Sequence, residues 1–151
     1  ITFALLLLLT SCSKPQQPQT QSIQQTINSF VSSFSSSDPT KLESAMSHDE
    51  DIICIGTDSK EWWEGWTRLK TATDLLFQSP EKSKFYIRNQ NITLNKSQDT
   101  AWFSQLLDAS LEDSQQQKTE IKGIRSTGVL VKEGKEWKIV QFHTSLPADK
   151  F

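Results

Sequence analysis

The fold is decided by the stretch Trp137-Lys138-Ile139-Val140-Gln141-Phe142-His143-Thr144-Ser145-Leu146-Pro147. Its residues alternate as they do in a β-strand, where successive side chains point to opposite faces of a sheet. One predicted face begins apolar and becomes polar, and it carries Trp137, Ile139, Gln141, His143 and Ser145. The other carries Lys138, Val140, Phe142 and Thr144. This change from apolar to polar predicts a strand that borders the hydrophobic core at one end and a cavity at the other.

Length and composition favour a single domain of ordinary charge. The chain has 151 residues, 35% of them hydrophobic, and a formal net charge of −2. Lysines and arginines are scattered among acids, which excludes the basic field of a nucleic-acid-binding protein. Cys12 and Cys54 lie in contexts too different to indicate a disulfide. His48 and His143 have no ligand spacing between them, so we predict no metal site, and no cofactor is expected.

The first residues are predicted to form a targeting signal. The apolar run from Leu5 to Leu9 is too short to span a bilayer and fits the core of a secretory signal. Leu9-Thr10-Ser11-Cys12 resembles a bacterial lipoprotein signal, which implies that Cys12 is lipid-modified. A plain signal peptide, or a short core segment with a chance cysteine, stays open as an alternative. We expect 1–11 to be a signal peptide whose start is missing, and 12–21 to be a linker rich in Gln and Pro.

The remaining pattern predicts helices first and long strands afterwards. An apolar stripe indicates a helix over Ile23 to Phe34, Asp38-Pro39 starts a second helix, and Gly65 precedes a third. Strands are predicted at 52–55, 84–94, 100–112, 119–132 and 136–145. The result is an α+β domain with helices on one face of a curved sheet. The predicted sheet has a second apolar side, which indicates a homodimer formed through the sheet. This second side comprises Trp102, Leu106, Ile124, Leu130, Val140 and Phe142.

The order of these elements resembles the SnoaL-like branch of the nuclear transport factor 2-like (ketosteroid isomerase-like) superfamily. The resemblance rests on three motifs, namely Ile55-Gly56-Thr57-Asp58 with Glu61-Trp62 and Gly65, Arg125 to Leu130, and Trp137 to Val140 with His143, Ser145 and Pro147. It implies a cone-shaped fold over 22–148, with a curved, mostly antiparallel sheet wrapped around about three N-terminal helices and a pocket open at one end. Members of this superfamily include enzymes and non-catalytic modules, so the fold does not determine the function.

The predicted ligand pocket combines two aromatic walls with polar strand residues. It comprises Trp62, Trp66, Arg125, Thr127, Gln141, His143 and Ser145. Arg125 requires an anionic partner, either a carboxylate of the Asp58/Glu61 loop or an acidic ligand. Trp62 and Trp66 share a face if that segment is helical, where they either wall a pocket or fill the core.

These residues favour a binding protein over an enzyme. His143 is the best candidate for a general base, but no partner is evident, so no catalytic residue is assigned. The resemblance to ketosteroid isomerase lacks the tyrosine of its first helix, since Tyr86, the single tyrosine, lies on a strand. The leading hypothesis is an exported, lipid-anchored bacterial protein that binds a small, largely apolar ligand with or without an anionic group. Alternatives are a lyase or isomerase that moves a proton beside a carbonyl, and a non-catalytic dimerisation module. In the bacterial lipoproteins that the Cys12 motif resembles, an acidic residue after the cysteine retains the protein at the inner membrane. Ser13 is not acidic, so the resemblance implies the outer membrane in a cell that has one.

Overall fold

The computed structural model describes residues 17–148 of the chain. Three helices and six strands follow one another in the order α1 (Gln17–Ser36), α2 (Pro39–Ala45), β1 (Ile53–Ile55), β2 (Trp62–Glu64), α3 (Trp66–Phe77), β3 (Lys82–Leu94), β4 (Thr100–Glu112), β5 (Lys118–Glu133) and β6 (Glu136–Ser145). The four predicted long strands agree with β3 to β6 to within two residues at each end. The predicted signal peptide, Cys12 and residues 13–16 lie outside the described part.

Helix α1 is held by the apolar stripe that the sequence predicts. Ile23, Ile27 and Phe30 are buried against the sheet, while the glutamines between them face solvent. The helix begins at Gln17, so residues 17–21 of the predicted linker are helical. This correction has a simple cause, because the glutamines before Ile23 are good helix formers and extend the amphipathic segment backward. Asp38 caps the following helix by accepting hydrogen bonds from the backbone N–H groups of Thr40 and Lys41, at 3.0 and 3.4 Å.

The strands form one curved sheet in the spatial order β2-β1-β6-β5-β4-β3. Strand β1 runs parallel to β6, and every other pair is antiparallel. The helices pack on one face, called here the inner face, and no part of residues 17–148 covers the opposite, outer face. The predicted α+β cone is confirmed. Within residues 17–148, no helix is long and apolar enough to cross a membrane.

Three β-bulges interrupt the long strands, one each in β3, β5 and β6. Asn89 and Gln90 oppose Gln105, Lys122 and Gly123 oppose Asp108, and Val140 is the extra residue beside the Val129–Gln141 pair. A bulge places two residues opposite one, which bends the strand and increases its twist. These positions therefore let long strands curve around the helices. Each bulge also reverses which side chains face inward.

The bulge at Val140 corrects the central expectation of the sequence analysis. Before the bulge, Trp137 and Ile139 point inward and are 4% and 0% exposed. After it, Phe142 and Thr144 are the inward residues. Gln141, His143 and Ser145 consequently lie on the outer face and not, as uninterrupted alternation predicts, on the face of Trp137 and Ile139.

The bulge in β5 is stabilised by Asp108 and also changes the predicted faces. Asp108 accepts a hydrogen bond from the N–H of Gly123 at 3.0 Å, and Gly123 adopts a φ of 76° that suits glycine. The same carboxylate forms a two-point ion pair with Arg88, and this pair lowers the pKa of Asp108. Because of this bulge, Ile121 and Ile124 both point inward. The bulges in β5 and β6 together correct the predicted second apolar side, since Ile124, Leu130 and Phe142 belong to the inner face and Val140 packs against the core.

Candidate ligand cavity

A cavity of about 410 Å³ lies between the inner face of the sheet and helices α1 and α3. Most side chains that line it are apolar, and every long strand of the sheet contributes. The lining consists of Phe30, Val31 and Phe34 from α1; Leu69, Ala72, Thr73 and Leu76 from α3; Cys54, Ile55, Gly56, Thr57, Glu61 and Trp63 around β1 and β2; and Phe85, Leu107, Ala109, Leu111, Ile121, Ile124, Phe142, Thr144 and Leu146 from the rest of the sheet and the segment that follows it.

One wall of the cavity is a cluster of aromatic rings. The ring of Phe30 meets that of Phe142 edge-on, with centroids 4.5 Å apart and planes at 61°. Phe34 continues the cluster toward Phe77, with centroids 5.6 Å apart. Edge-to-face contacts of this kind stabilise a pair beyond the area that it buries. They give the cavity a rigid wall built from the first helix and the last strand.

The polar groups of the cavity lie around the turn formed by residues 56–61, which follows β1 next to the Phe142 position of β6. The Glu61 carboxylate accepts hydrogen bonds from the backbone N–H groups of Thr57 and Asp58, at 2.7 and 3.0 Å. Gly56 donates its backbone N–H to the carbonyl of Glu61 at 2.8 Å, which closes the turn. Nearby, the hydroxyl of Thr144 donates to the carbonyl of Ile55 at 3.5 Å. The cavity is thus amphipathic, with a wide apolar body and a small polar end.

Cys54 is an unreactive part of the lining. It is 3% exposed, and burial raises the pKa of its thiol to about 12. A thiol with such a pKa stays protonated at neutral pH and is a poor nucleophile and metal ligand. Among residues 17–148, no three His, Cys, Asp or Glu side chains are grouped so that they could hold a metal ion. The lining therefore offers shape and hydrogen bonding, without an activated nucleophile.

The two predicted aromatic walls lie away from this cavity. Trp62 is on β2, is 57% exposed, and donates its indole N–H to Glu64 at 3.0 Å. Trp66 begins α3 and stacks on the ring of His48, with centroids 4.1 Å apart. They do not share a helical face, because Gly65 separates the strand from the helix with a φ of 87°. The tryptophan that lines the cavity is Trp63, the inward residue of β2.

The predicted polar residues are brought together on the outer face. Cross-strand pairs join Thr127 to His143, Val129 to Gln141, and Arg125 to Ser145. Arg125 donates to the carbonyl of Leu146 at 2.7 Å, so its partner is a backbone oxygen and not the Asp58/Glu61 loop. None of these polar side chains lines the cavity among the residues described. His143 therefore has no position there from which to act as a base.

Sequence reasoning missed the residues that do form the cavity, though some signals were present. Phe142 and Thr144 were placed on the other face because an unbroken strand was assumed, and no residue near Val140 marks the bulge. Trp63 could have been identified. If Trp62-Trp63-Glu64 is a strand, the side chain of Trp63 points to the face opposite to those of Trp62 and Glu64. Glu61 belongs to the motif from Ile55 to Gly65 and is a possible partner of Arg125 in the sequence, but the motif does not reveal that its carboxylate accepts backbone N–H groups of the 56–61 turn.

Comparison with known proteins agrees with this architecture. The family profile described as the SnoaL-like domain matches residues 23–149. No curated protein matches the chain by sequence. Among solved structures, a nuclear transport factor 2-like superfamily protein from Salmonella enterica serovar Typhimurium superposes with a TM-score of 0.77 at 18% identity, covering 89% of this chain and 94% of that one.

Two further structures illustrate how varied the assigned roles of this fold are. A proposed dehydratase of the NTF2-like family from Streptomyces avermitilis has a TM-score of 0.76 at 13% identity, with 88% of this chain and 99% of that chain covered. A proposed calcium/calmodulin-dependent protein kinase II association domain from Xanthomonas campestris has a TM-score of 0.69 at 16% identity, with 91% and 92% covered. Identities this low establish the fold alone. Together with the profile match over most of its length, they show that the chain belongs to the SnoaL-like domain family, within the NTF2-like fold.

Proposed function

We propose that this protein is an exported, lipid-anchored binding protein whose SnoaL-like domain holds a small, largely apolar molecule. The observation that carries the proposal is the cavity of about 410 Å³, whose lining is dominated by aromatic and aliphatic side chains. Pockets of this size and composition are the usual sites for small ligands. Among the described lining residues, Glu61 and Cys54 are the only ionisable ones, which supports binding over proton-transfer chemistry.

Filling the cavity is expected to abolish binding of a neutral apolar probe. Ala72 lines the cavity from α3, whereas the adjacent Thr71 is exposed on the same helix. With N-phenylnaphthylamine, a neutral fluorophore, we expect saturable enhancement of fluorescence by the wild type. We expect binding at least about tenfold weaker with Ala72→Trp, a loss of about 1.4 kcal/mol, because the indole occupies the probe's space.

Thr71→Trp is the matched control, because it adds the same side chain on the solvent side of α3. It is expected to bind the probe as the wild type does, and circular dichroism should give the same helical content for both variants. Equal affinity in the wild type and Ala72→Trp, or no binding by the wild type, would count against the proposal.

The proposed anchor is a lipid on Cys12. Its support is the order of features in the sequence, an apolar run followed by Leu9-Thr10-Ser11-Cys12 and a polar linker. Expressed with its complete leader in a bacterial host, the mature chain should begin at Cys12 and carry a diacylglyceryl adduct, measured by intact mass. Cys12→Ser should keep its leader and lose the adduct. A cleaved, soluble chain with no added mass would refute the anchor and leave the ligand proposal standing.

We also propose a homodimer formed through the outer face of the sheet. Large apolar side chains are exposed there, with Trp62, Tyr86 and Trp102 at 57%, 56% and 48%. Half-exposed aromatic residues on a face that also carries polar side chains, here Arg125 and His143, are typical of a protein interface. The polar set that the sequence analysis assigned to the pocket then belongs to the subunit contact.

A further inference from the structure

The polar end of the cavity presents hydrogen-bond acceptors to its interior. A glutamate carboxylate accepts hydrogen bonds and donates none at neutral pH. Of the two Glu61 oxygens, Oε2 accepts from Thr57 and Asp58, and Oε1 has no hydrogen-bond partner among the described residues. The Thr144 hydroxyl lies 3.5 Å from the carbonyl of Ile55, and its oxygen has lone pairs that can accept from a ligand. A ligand that satisfies this end must therefore bring donors.

The charge of the lining leads to the same conclusion. Within the described residues, no Lys, Arg or His contributes to the cavity, and Glu61 is its single charged side chain. An anionic ligand group would lose water and find a like charge, with no cation to offset the loss. Arg125, which the sequence offered as an anion partner, lies on the outer face and is bound to the carbonyl of Leu146. The cavity is thus unsuited to the acidic ligand that the sequence permitted.

We propose that the cavity selects apolar molecules that carry a primary amine, with the ammonium group bound by the Glu61 carboxylate. This inference rests on the proposed function and adds the chemical class of the ligand. An ammonium offers three donors and the opposite charge, so it can bond Oε1 of Glu61 and retain donors for other lining oxygens, of which the Thr144 hydroxyl is one. The remaining apolar body contacts the aromatic wall at Phe30, Phe34 and Phe142. An alcohol supplies one donor and no charge, and ranks second.

The test compares three molecules with one apolar body and different polar groups. Isothermal titration calorimetry at neutral pH would use naphthylethylamine, naphthylethanol and naphthylacetate. The amine is expected to bind most tightly, the alcohol next and the carboxylate most weakly. The affinity for the amine should exceed that for the alcohol by about tenfold or more, because one charge-assisted hydrogen bond provides that difference. This order is measured on the wild type and does not depend on any variant folding.

The variant Glu61→Gln keeps an oxygen that can accept from the 56–61 turn and removes the charge. This variant should lower the affinity for the amine to that for the alcohol. The affinity for the alcohol should stay within about threefold of the wild-type value, a difference under 1 kcal/mol. Glu64→Gln is the control, since Glu64 lies three residues away, is exposed, and bonds Trp62 outside the cavity. It should change neither affinity.

The outcomes separate the two proposals. Tightest binding by naphthylacetate, or an amine affinity that Glu61→Gln leaves unchanged, would overturn the amine assignment. Binding of the alcohol and of N-phenylnaphthylamine with no preference for the amine would do the same and keep the ligand-binding function. If none of the four molecules binds, the proposed function itself fails.

Discussion

Replacing Phe30 by alanine is expected to lower the free energy of unfolding by about 3–5 kcal/mol, the usual loss for a buried phenylalanine. Phe30 is 2% exposed and packs edge-on against both Phe34 and Phe142. The substitution removes two aromatic contacts and joins the vacated space to the existing cavity. Urea unfolding followed by far-ultraviolet circular dichroism measures the change, with the slope m checked for constancy.

Leu75→Ala is the matched control for this experiment, because Leu75 is 68% exposed on α3. It also truncates a large apolar side chain, yet should stay within about 0.5 kcal/mol of the wild type, as surface substitutions do. A Phe30→Ala protein as stable as Leu75→Ala would mean that the junction of α1 with β6 does not contribute to the core as its burial implies.

Introducing a charge at Trp102 is expected to convert the proposed dimer to a monomer. Trp102 lies on β4 between Thr93 and Val129, and it is 48% exposed on the outer face. A tryptophan that a partner subunit buries contributes about 2 kcal/mol or more, and a glutamate there would lose further free energy by desolvation. Trp102→Glu should weaken self-association by at least about thirtyfold. Light scattering coupled to size exclusion, over a range of concentrations, gives the mass directly.

The control for this prediction is Leu75→Glu, which adds the same charge on α3, away from the outer face. It should retain the mass of the wild type. A wild-type protein that is monomeric at every concentration would refute the dimer, whereas a dimer that survives Trp102→Glu would place the contact on another surface.

The fold could be predicted because its signals are local and repeated. The stripe from Ile23 to Phe34 and the cap at Asp38 each determine one element without reference to the others. Strand β2 was missed, since three residues between a turn and a glycine are too few to display a period. The helical start at Gln17 was missed because glutamine and proline suit a linker as well as a first turn.

The cavity could not be predicted, because its lining depends on the register of the strands. Alternation assigns faces correctly until the first bulge and incorrectly after it, and β6 carries its bulge between the core residue Ile139 and the cavity residue Phe142. Gly123 is the one bulge position with a visible signal, a glycine inside a strand. The bulges are set by long-range contacts, such as the hydrogen bond from Gly123 to Asp108, which sequence spacing does not reveal.

Helix α1 would also set the distance between the cavity and a bilayer if the proposed lipid is attached to Cys12. Its first residue, Gln17, follows the proposed lipidated Cys12 by five positions, whereas Phe30, Val31 and Phe34 reach the cavity near its other end. From Gln17 to Phe34 an α-helix rises about 26 Å. With a lipid on Cys12 and α1 upright on the membrane, the helix would be a spacer that holds the cavity away from the membrane surface. In that orientation the ligand would exchange with the aqueous compartment.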